Sequence, residues 1–231
     1  MRLLIIIPAY NEELNIERVV DNLTEHYPQY DYVVVNDGSK DSTADICRRR
    51  GYRLLDLPTN LGLAGGFQAG MKLADRMGYD CAVQLDGDGQ HDPAYIAGMV
   101  GQMERTGCDI VIGSRFVTEK KPNSMRMLGS NIIQTAIHMT TGKIIHDPTS
   151  GMRLFNRQMI REFAHGVNYG PEPDTISYLM RNGARVEEVQ VEMHERIAGT
   201  SYLNMRRSIE YMTRMCISIL LIQRFRKRVS G

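Results

Sequence analysis

The sequence predicts an α/β protein with helices on both faces of a mostly parallel β-sheet. Three observations support this fold class. Short aliphatic runs alternate with segments of helical apolar spacing through the first 113 residues. These runs are continuous, which is typical of parallel strands that are buried on both faces. Polar motifs follow the runs, as expected where strands end at one edge of an open sheet whose right-handed crossovers are helices.

The predicted elements alternate in chain order. The first strand is the aliphatic run at residues 3–7, and the helix after it carries apolar side chains from Leu14 to Leu23. Further strands are predicted at residues 32–35, 52–56, 81–85 and 109–113. Further helices are predicted from Asp41 or Ser42, either of which can be the cap, to Arg50, from Gly65 to Met77, after Pro93, and from Met125.

Charge and cysteine content exclude several classes of protein. The 231-residue chain has a net charge of +1, so no overall basic field indicates nucleic-acid binding. Its four cysteines are scattered, which predicts reduced thiols in a cytosolic setting rather than disulfides or a zinc site. The first apolar run ends at Pro8 and is too short for a signal peptide.

A pair of carboxylates follows the fourth predicted strand. Asp86 and Asp88 flank a glycine and end a buried strand, and Gln90 adds an amide oxygen two residues later. Such oxygen ligands suit Mg²⁺ or Mn²⁺, whose coordination is completed by substrate phosphates. An EF-hand is excluded because His91 and Ala97 stand where that loop needs Gly and Glu. The remaining alternative is a solvated Asp-Gly turn.

Three other polar motifs follow the first three strands: PAYNEE, NDGSKDS and LPTNLGLAGG. Because parallel strands end at one edge, we expect these loops to converge with the carboxylate pair on one site. Asp37 is placed to accept hydrogen bonds from a ribose or a base. The glycine-rich loop lacks the GxGxxG spacing and follows the third strand, so we predict no nicotinamide cofactor. It can also be a tight connection without a ligand.

The motifs PAYNEE, VVVNDGSKDST, NLGLAGGFQAG, LDGDGQHDP and IGSRF, in this order, resemble those of the family 2 glycosyltransferases over residues 1–202. That family has the glycosyltransferase A-type, Rossmann-like fold. The resemblance implies a nucleotide-sugar donor, usually linked to uridine or guanosine diphosphate, and Mg²⁺ or Mn²⁺ held by Asp86, Asp88 and Gln90. The donor-binding residues that it implies in the first half of the chain are Pro8, Ala9, Tyr10, Glu12, Asp37, Gly65 and Asp86.

The second half of the chain narrows the resemblance to one branch. Arg115 ends the fifth predicted strand, and Arg126 and Ser130 share one face of the next helix, so the three can bind one phosphate. This arrangement and the DPTSGMR segment at 147–153 are similar to the dolichyl-phosphate mannose synthase and bacterial polyprenyl-phosphate glycosyltransferase branch. A solvated helix face is the alternative interpretation of Arg126.

One later motif adds to that branch resemblance, and two features depart from it. The segment RIAGTS resembles a loop that closes on the donor diphosphate, which implies donor contacts for Arg196 and Ser201; a turn followed by a helix cap is the alternative. Glu172 and Asp174 stand where relatives that glycosylate hydroxyls keep a general base, although Asp174 can also cap a helix. The chain departs from many relatives in having no lysine at residues 61–66.

The sequence predicts two parts. Residues 1–202 form a catalytic domain, with a nucleotide-sugar half at 1–113 and an acceptor half at 114–202, and residues 203–231 form a basic amphipathic helix. Residues 205–228 contain seven Lys or Arg and one Glu, a net charge of +6 that leaves −5 elsewhere. Their apolar residues recur at helical spacing, at Ile209, Met212, Cys216 and Ile219 or Leu220. This helix suits an anionic membrane surface, or it docks on the domain or on another subunit.

These features predict a metal-dependent, inverting glycosyltransferase. It would move a hexose or N-acetylhexosamine from a UDP-linked donor to polyprenyl (undecaprenyl) phosphate for cell-envelope polysaccharide assembly. The predicted catalytic residues are Asp88, Arg115, Arg126 and Ser130.

Two alternatives remain open at this point. One is transfer to a hydroxyl of a lipid-linked saccharide, with Glu172 or Asp174 as base. The other is a non-catalytic nucleotide-sugar sensor or scaffold, which would need neither Asp88 nor Arg126. We expect the protein to lie on the inner face of the cell membrane and to have a second copy and a small membrane subunit as partners.

Overall fold

The structure is a computed structural model that describes residues 1–122, 124–166, 170–193 and 205–225. The side chains at positions 125, 126, 205–209 and 224 are outside this description, although their backbone belongs to helices. The described chain forms one seven-stranded sheet with helices packed on both of its faces. The predicted fold class is therefore confirmed.

Six of the seven strands run in one direction. The strands are β1 Leu3–Ala9, β2 Asp31–Asp37, β3 Leu54–Leu57, β4 Cys81–Gln84, β5 Ile110–Ser114, β6 Arg153–Asn156 and β7 Val186–Gln190. They lie in the order β3-β2-β1-β4-β6-β5-β7, and β6 is antiparallel to both of its neighbours. All five predicted strands are present, whereas β6 and β7 were not predicted.

The helices connect the strands as the alternating pattern predicts. They are α1 Ile16–His26, α2 Thr43–Arg50, α3 Gly62–Arg76, α4 Ile96–Thr106, α5 Met125–Thr141, α6 Arg157–His165, α7 Pro173–Arg181 and α8 Met205–Ile217. A π-helical turn, Ser218–Ile222, and the short helix α9, Gln223–Phe225, continue α8. The prediction that α3 begins at Gly65 is wrong, because its first turn starts at Gly62. At the start of α2, the Asp41 carboxylate accepts the Thr43 N–H at 3.0 Å.

The inverted strand β6 brings a sequence motif to the ligand-binding edge of the sheet. Its first residue, Arg153, pairs with Gln84 at the end of β4 and with Ile112 in β5. Because β6 runs against these strands, the residues just before it lie where β4 and β5 end. The DPTSGMR segment therefore lies at the edge that also carries the loop with Asp86 and Asp88.

Buried side chains cover both faces of the sheet and hold its edge in place. Ile6 packs in a cluster that contains Phe67, Phe155 and Phe163, whose ring centroids are 5.1–5.4 Å apart. Its neighbour Ile5 points to the opposite cluster, which contains residues of α1 and α4. Burying one such side chain contributes about 1.5–3 kcal/mol, so alternate residues of β1 tie both helix layers to the sheet.

The C-terminal helix, which we define as residues 205–225, packs against α5 and α7. Met212 occupies the space beside Gly129 of α5, where a Cβ would clash with it. The described members of the predicted apolar stripe all pack on the core: Met212, Cys216, Ile219 and Leu220. The Ile209 side chain lies outside the described residues. This packing corresponds to the docked-helix alternative. Within the described chain, no helix has the length and apolar character needed to cross a bilayer.

Candidate active site

The loop between β4 and α4 carries the three predicted metal ligands. Asp86 is partly exposed, and its Oδ1 accepts a 2.9 Å hydrogen bond from Nε2 of Gln84. Asp88 is 4% exposed, and its Oδ1 accepts the backbone N–H of Gln90 at 3.0 Å. Gln90 is half-buried. The hydrogen bonds of this loop therefore orient both carboxylates before any ligand binds.

Two glycines allow close contacts around these carboxylates. A Cβ at Gly87 would lie 3.1 Å from the carbonyl oxygen of Pro8 at the end of β1. A Cβ at Gly151, in the DPTSGMR segment, would lie 2.5 Å from Oδ2 of Asp86. A side chain at position 151 would therefore displace a predicted metal ligand.

Two side chains hold this loop in place: His91 from within the loop and Arg18 from α1. His91 is 6% exposed, and its Nδ1 accepts the backbone N–H of Asp86 at 3.3 Å. An accepting Nδ1 requires the tautomer that carries its proton on Nε2. Nε2 is buried and has no hydrogen-bond partner within the described residues. A guanidinium nitrogen of Arg18 is 3.5 Å from the carbonyl oxygen of Asp88.

Hydrogen bonds join the loops that follow β1 and β2. Five of them, of 2.8–3.1 Å, run from the backbone N–H groups of Asn11, Glu12 and Glu13 to the side chains of Ser39, Thr43 and Asp41, and from the N–H groups of Lys40 and Ser42 to the side chains of Asn11 and Glu13. Asn11 has a φ of 57°, a conformation that asparagine tolerates well. The predicted donor-binding residues Pro8, Ala9, Tyr10 and Glu12 thus lie on a preorganised edge.

Asp37 links these loops to the one that follows β3. It is 5% exposed at the end of β2, and its Oδ1 accepts the N–H of Leu61 at 2.7 Å. Gly38 has a φ of 63°, and a Cβ there would lie 2.6 Å from the backbone nitrogen of Asn60. Gly65 lies in α3, where a Cβ would clash with Leu61. The loops after β1, β2 and β3 are therefore interlocked around Asp37.

The predicted acceptor-binding residue Arg115 forms an ion pair with Asp147. Its Nε and Nη2 donate to the two carboxylate oxygens at 2.7 and 2.9 Å. The Asp147 side chain is fully buried. Burial opposes its ionisation, but the hydrogen bonds and charge of Arg115 outweigh this effect and lower the pKa of Asp147. Glu188 of β7 accepts the backbone N–H of Asp147 at 2.9 Å. Sequence reasoning did not identify Asp147 as the partner of Arg115.

Lys121 provides a second cation next to Ser130. Its Nζ donates to Oγ of Ser130 at 3.3 Å and to the side-chain oxygens of Asn131 and Gln134 at 2.9 and 2.8 Å. Burial lowers the pKa of Lys121, and the nearby charge of Arg115 adds to this effect against the opposing charges of Asp147 and Glu188. Sequence reasoning assigned Lys121 only to a polar linker, because no motif distinguishes it there.

The ring of Phe116 lies beside both cations. It is 5.1 Å from the guanidinium carbon of Arg115 and 5.7 Å from Nζ of Lys121. We refer to Arg115, Lys121 and Ser130 as the cationic cluster. Asp147 pairs directly with Arg115, whereas the described hydrogen bonds of Lys121 Nζ go to neutral oxygens, so an anion bound by both cations would stabilise the cluster.

Arg153 is another buried cation close to these groups. Its Nη2 donates to the carbonyl oxygen of Pro148 at 2.7 Å, whereas Nε and Nη1 have no hydrogen-bond partner in the described part of the chain. Burial lowers its pKa, and the charges of Tyr211, Asp147, Glu172 and Asp86 oppose that effect. Arg153 therefore compensates part of the negative charge of the site from a buried position. Its position at the end of the DPTSGMR segment was the only sequence signal for it.

The two carboxylates considered as a general base are both in contact with the C-terminal helix. Burial raises the pKa of Glu172, whose carboxylate lies 3.6 Å from a guanidinium nitrogen of Arg214. Oδ2 of Asp174 accepts hydrogen bonds from Ser218 at 2.6 Å and Gln223 at 3.2 Å. Asp174 thus fastens the π-helical turn to α7, in addition to accepting the N–H of Thr175 at 2.8 Å.

Three predicted residues fall wholly or partly outside the described residues. The backbone of Arg126 lies in the first turn of α5, one turn before Ser130 as predicted, but its side chain is outside the description. Arg196 and Ser201 are outside the described residues altogether. Within the described residues, the cationic cluster therefore consists of Arg115, Lys121 and Ser130.

The loop after β4 offers hard oxygen ligands, which suit Mg²⁺ or Mn²⁺. It provides two carboxylates and one amide oxygen. In residues 1–122, 124–166, 170–193 and 205–225, no group of three His, Cys, Asp or Glu side chains is placed to enclose an ion. These metals are commonly held by one or two carboxylates plus substrate phosphates. The residues present therefore fit a cation whose coordination a phosphate-containing substrate completes.

Comparison with known proteins agrees with these features of the site. The family model for "Glycosyl transferase family 2" matches residues 4–163, from β1 into α6. An undecaprenyl-phosphate mannosyltransferase from Micrococcus luteus is 31% identical over 218 residues, which cover 88% of each chain. A polyprenol monophosphomannose synthase from Mycolicibacterium smegmatis is 29% identical over 216 residues, 88% of this chain and 81% of the relative. Both names belong to the branch that the motifs resemble.

Solved structures show the same fold. A glucosyl-3-phosphoglycerate synthase from Mycobacterium tuberculosis, in complex with Mn²⁺, uridine diphosphate and phosphoglyceric acid, superimposes with a TM-score of 0.69. The match covers 98% of this chain and 80% of that protein, at 19% sequence identity. At that identity the similarity concerns the fold.

Proposed function

The chain belongs to glycosyl transferase family 2 and is a glycosyltransferase, and we propose that it transfers a hexose or N-acetylhexosamine from a UDP-linked donor to polyprenyl phosphate. The lipid phosphates in the names of its relatives support the acceptor. The Mn²⁺ and uridine diphosphate bound to a protein of the same fold support the donor and a divalent metal.

The observation that carries this proposal is the connection between the cationic cluster and the metal loop. The DPTSGMR segment contacts both, because Asp147 binds Arg115 and Gly151 packs against Asp86. Ser150 anchors the segment through a 2.5 Å hydrogen bond to the carbonyl oxygen of Gly113 in β5. An anion on the cluster would therefore lie on the side of the sheet edge that adjoins the donor diphosphate.

The donor would bind across the loops after β1 to β4. In our proposal Asp86, Asp88 and Gln90 hold a divalent cation, which supplies Lewis-acid stabilisation to the departing diphosphate. A favourable pair of unit charges near 4 Å contributes about 4 kcal/mol at an effective dielectric of about 20. Asp37 and the interlocked loops would orient the nucleoside, so that the anomeric carbon faces the acceptor half of the sheet.

The acceptor phosphate would bind the cationic cluster and attack with inversion. A phosphate monoester is ionised at neutral pH, so that no protein base has to remove a proton from it. Arg115 is held in place by Asp147, and Lys121 by Ser130, which would position the nucleophile. We include Arg126, one turn before Ser130, in the proposed acceptor set because of its sequence position.

Transfer to a hydroxyl of a lipid-linked saccharide is the less supported alternative. It would require Glu172 or Asp174 as a base, and the raised pKa of Glu172 is compatible with that role. However, Asp174 is engaged by Ser218 and Gln223, and Glu172 lies next to Arg214. These contacts give both carboxylates a role in fixing the C-terminal helix instead.

We further propose that the enzyme works on the inner face of the cell membrane in cell-envelope polysaccharide assembly. Polyprenyl phosphate is a membrane lipid, so an enzyme that uses it must reach the bilayer surface. The proposed partners are a second copy of the chain and a small membrane protein.

Incubation of the purified chain with UDP-linked sugars, Mn²⁺ and undecaprenyl phosphate tests the proposal. We expect a product that carries the sugar on the lipid phosphate, identified by mass spectrometry and by its lability in mild acid. Undecaprenol, which lacks the phosphate, is the matched control and should not react. A sugar linked to a hydroxyl would contradict the proposed acceptor, and the absence of turnover with every nucleotide sugar would favour a sensor or scaffold.

A further inference from the structure

Exposed apolar side chains are concentrated in two regions of the described chain. Fourteen large hydrophobic residues are exposed among the described residues, and eight of them lie on α5, just after it, or on the C-terminal helix. These eight are Leu128, Ile132, Met139, Ile144, Ile217, Leu221, Ile222 and Phe225, with exposed fractions from 47% to 85%. Single exposed apolar residues are ordinary, but such a concentration is typical of a contact surface.

The exposed strip of α5 borders the C-terminal helix. Leu128, Ile132 and Met139 lie on one side of α5, and Ile133 and Ile137 are buried on the other. Gly129, the residue after Leu128, is the point at which Met212 of the C-terminal helix packs on α5. The two sets of exposed residues therefore belong to neighbouring helices in direct contact.

The C-terminal helix has a second apolar face, which points away from the domain. Ser218 and Gln223 are buried and bind Asp174, which fixes the rotation of the helix about its axis. One face packs on the domain, through residues that include Met215 and Ile219. Ile217, Leu221 and Phe225 recur at i, i+4 spacing and therefore share another face. The outward set consists of Ile217, Leu221, Ile222 and Phe225.

Both regions are poor in acidic residues, and Glu210 is the single Asp or Glu in the sequences of α5 and the C-terminal helix. Residues 120–146 contain four Lys or Arg and no Asp or Glu, and residues 211–231 contain five Lys or Arg and no Asp or Glu. The two segments together carry +9, which leaves −8 on the rest of a chain whose net charge is +1. With 27 acidic residues in 231, an average stretch of 48 residues would contain five or six. The stretches of sequence that contain the exposed apolar residues are thus strongly basic.

We propose that the exposed faces of α5 and the C-terminal helix form one docking surface for an anionic lipid bilayer. Apolar side chains flanked by Lys and Arg match the acyl boundary and the anionic headgroups of a membrane. This inference rests on the proposed function, because an enzyme that uses a lipid-linked acceptor must reach the bilayer surface. The buried side of α5 carries Ser130 of the cationic cluster, so a docked α5 would lie between the bilayer and the acceptor site.

Co-sedimentation of the purified full chain with vesicles tests the docking surface. We expect binding to phosphatidylcholine vesicles that contain about 30% phosphatidylglycerol, and much weaker binding to vesicles of phosphatidylcholine alone. The double variant Met139→Glu with Leu221→Glu places one acidic group on each helix of the surface, and it should reduce binding at least roughly tenfold. Both positions are exposed, so circular dichroism should show an unchanged fold.

Met77→Glu is the matched control for Met139→Glu. Met77 is 52% exposed at the end of α3, outside both acid-free segments. This variant should bind anionic vesicles as the wild type does. Equal vesicle binding by the wild type and the double variant would overturn the inference, as would a wild type that does not bind anionic vesicles. A dimer that dissociates in the double variant while vesicle binding persists would assign the surface to a second copy instead.

A water-soluble acceptor separates this inference from the proposed function. With a short-chain polyprenyl phosphate in solution, the double variant should turn over like the wild type, because its cationic cluster is intact. With undecaprenyl phosphate in anionic vesicles its turnover should fall along with binding. Loss of turnover on the soluble acceptor would contradict the assignment of these residues to docking. A wild type that binds vesicles but transfers no sugar would leave the docking surface intact and overturn the proposed function.

Discussion

The donor and acceptor sides of the sheet edge are held together in different ways. On the donor side, backbone N–H groups of one loop bind side chains of the next, so that the loops after β1, β2 and β3 form one unit. On the acceptor side, charged side chains bind partners distant in the sequence: Arg115 forms an ion pair with Asp147, and the Asp174 carboxylate accepts a hydrogen bond from Ser218. The donor side is thus preorganised by hydrogen bonds between loops, whereas the acceptor side depends on charged side chains that are paired across long sequence distances.

This difference in construction predicts different responses to mutation. A typical hydrogen bond contributes about 0.5–1.5 kcal/mol net, and the donor loops contain many of them, so that no single one is decisive. Removal of one partner from a buried ion pair costs about 3–5 kcal/mol, because it leaves a charge uncompensated. Single substitutions should therefore affect stability more on the acceptor side, while the chemistry depends most on the metal loop.

The largest expected effect is on turnover, in Asp88→Asn. The variant removes one of two carboxylates proposed to hold the cation, and kcat/KM should fall roughly a thousandfold or more, corresponding to about 4 kcal/mol. Binding of uridine diphosphate should weaken less, since the loops around Asp37 remain. Steady-state kinetics and isothermal titration calorimetry measure the two quantities.

Asp92→Asn is the matched control for that prediction. Asp92 belongs to the same loop, but its Oδ1 accepts the N–H of Ala94 at 2.8 Å and caps the turn before α4. Asparagine keeps an oxygen that can accept this hydrogen bond, so the replacement should leave both the stability and the chemical step nearly unchanged. Equal turnover of Asp88→Asn and the wild type would refute the metal assignment.

The second largest effect is expected on stability, in Asp147→Asn. Because Arg115 would lose its fully buried counter-ion, the free energy of unfolding at neutral pH should fall by about 3 kcal/mol in urea denaturation. The pKa of Asp147 is lowered in the folded state, so the pair contributes fully above the unfolded value of about 3.9. The difference between variant and wild type should shrink as the pH falls below that value. A difference that persists undiminished at pH 2 would contradict the ion pair as its cause.

A smaller effect is expected on acceptor binding, in Lys121→Met. Loss of one of two cations of the cluster should raise KM for the phosphate acceptor roughly tenfold or more, with KM for the donor unchanged. Because the pKa of Lys121 is lowered, the wild-type acceptor KM should begin to rise at a pH below the ordinary lysine value of about 10.4. Lys72→Met, at an exposed position on α3, is the control. A change in the KM for the donor alone would contradict the assignment of Lys121 to the acceptor side.

The smallest effect is expected in Ser218→Ala. Asp174 would lose its shortest hydrogen bond to the C-terminal helix, and the stability of that helix should fall by about 1 kcal/mol. Hydrogen exchange should show faster exchange in residues 205–225 and unchanged exchange in β1 to β4. Thr135→Ala on α5 is the control, because its hydroxyl bonds only within its own helix among the contacts described. Uniformly faster exchange across the sheet would contradict a local role.

The same contrast explains how much the sequence could predict. The first five parallel strands in the chain and the donor loops follow directly from the sequence, because each donor motif adjoins its own strand, whereas the parallel strand β7 was not predicted. The inverted strand β6 has only four residues, and nothing in Arg153–Asn156 specifies its direction. The pairing of Arg115 with Asp147 spans 32 residues, and the contacts of Lys121 form only after α5 packs. Both therefore depend on tertiary structure that local patterns do not encode.

The outward face of the C-terminal helix illustrates the same point. Helical spacing identified the stripe at Met212, Cys216 and Ile219, which packs on the core. The second apolar set, which includes Leu221 and Phe225, also has i, i+4 spacing but lies on a different face from that stripe. What local spacing does not show is that this face stays exposed while the stripe is buried, which depends on how the helix docks on the domain.

Titration of Mn²⁺ followed by electron paramagnetic resonance tests the central claim most directly. The loop after β4 supplies too few ligands to bind the ion tightly alone, so uridine diphosphate should strengthen Mn²⁺ binding markedly, and Asp88→Asn should abolish that increase. Mn²⁺ binding that is equal with and without uridine diphosphate, or a cooperative increase that persists in Asp88→Asn, would contradict a cation shared between these aspartates and the donor diphosphate.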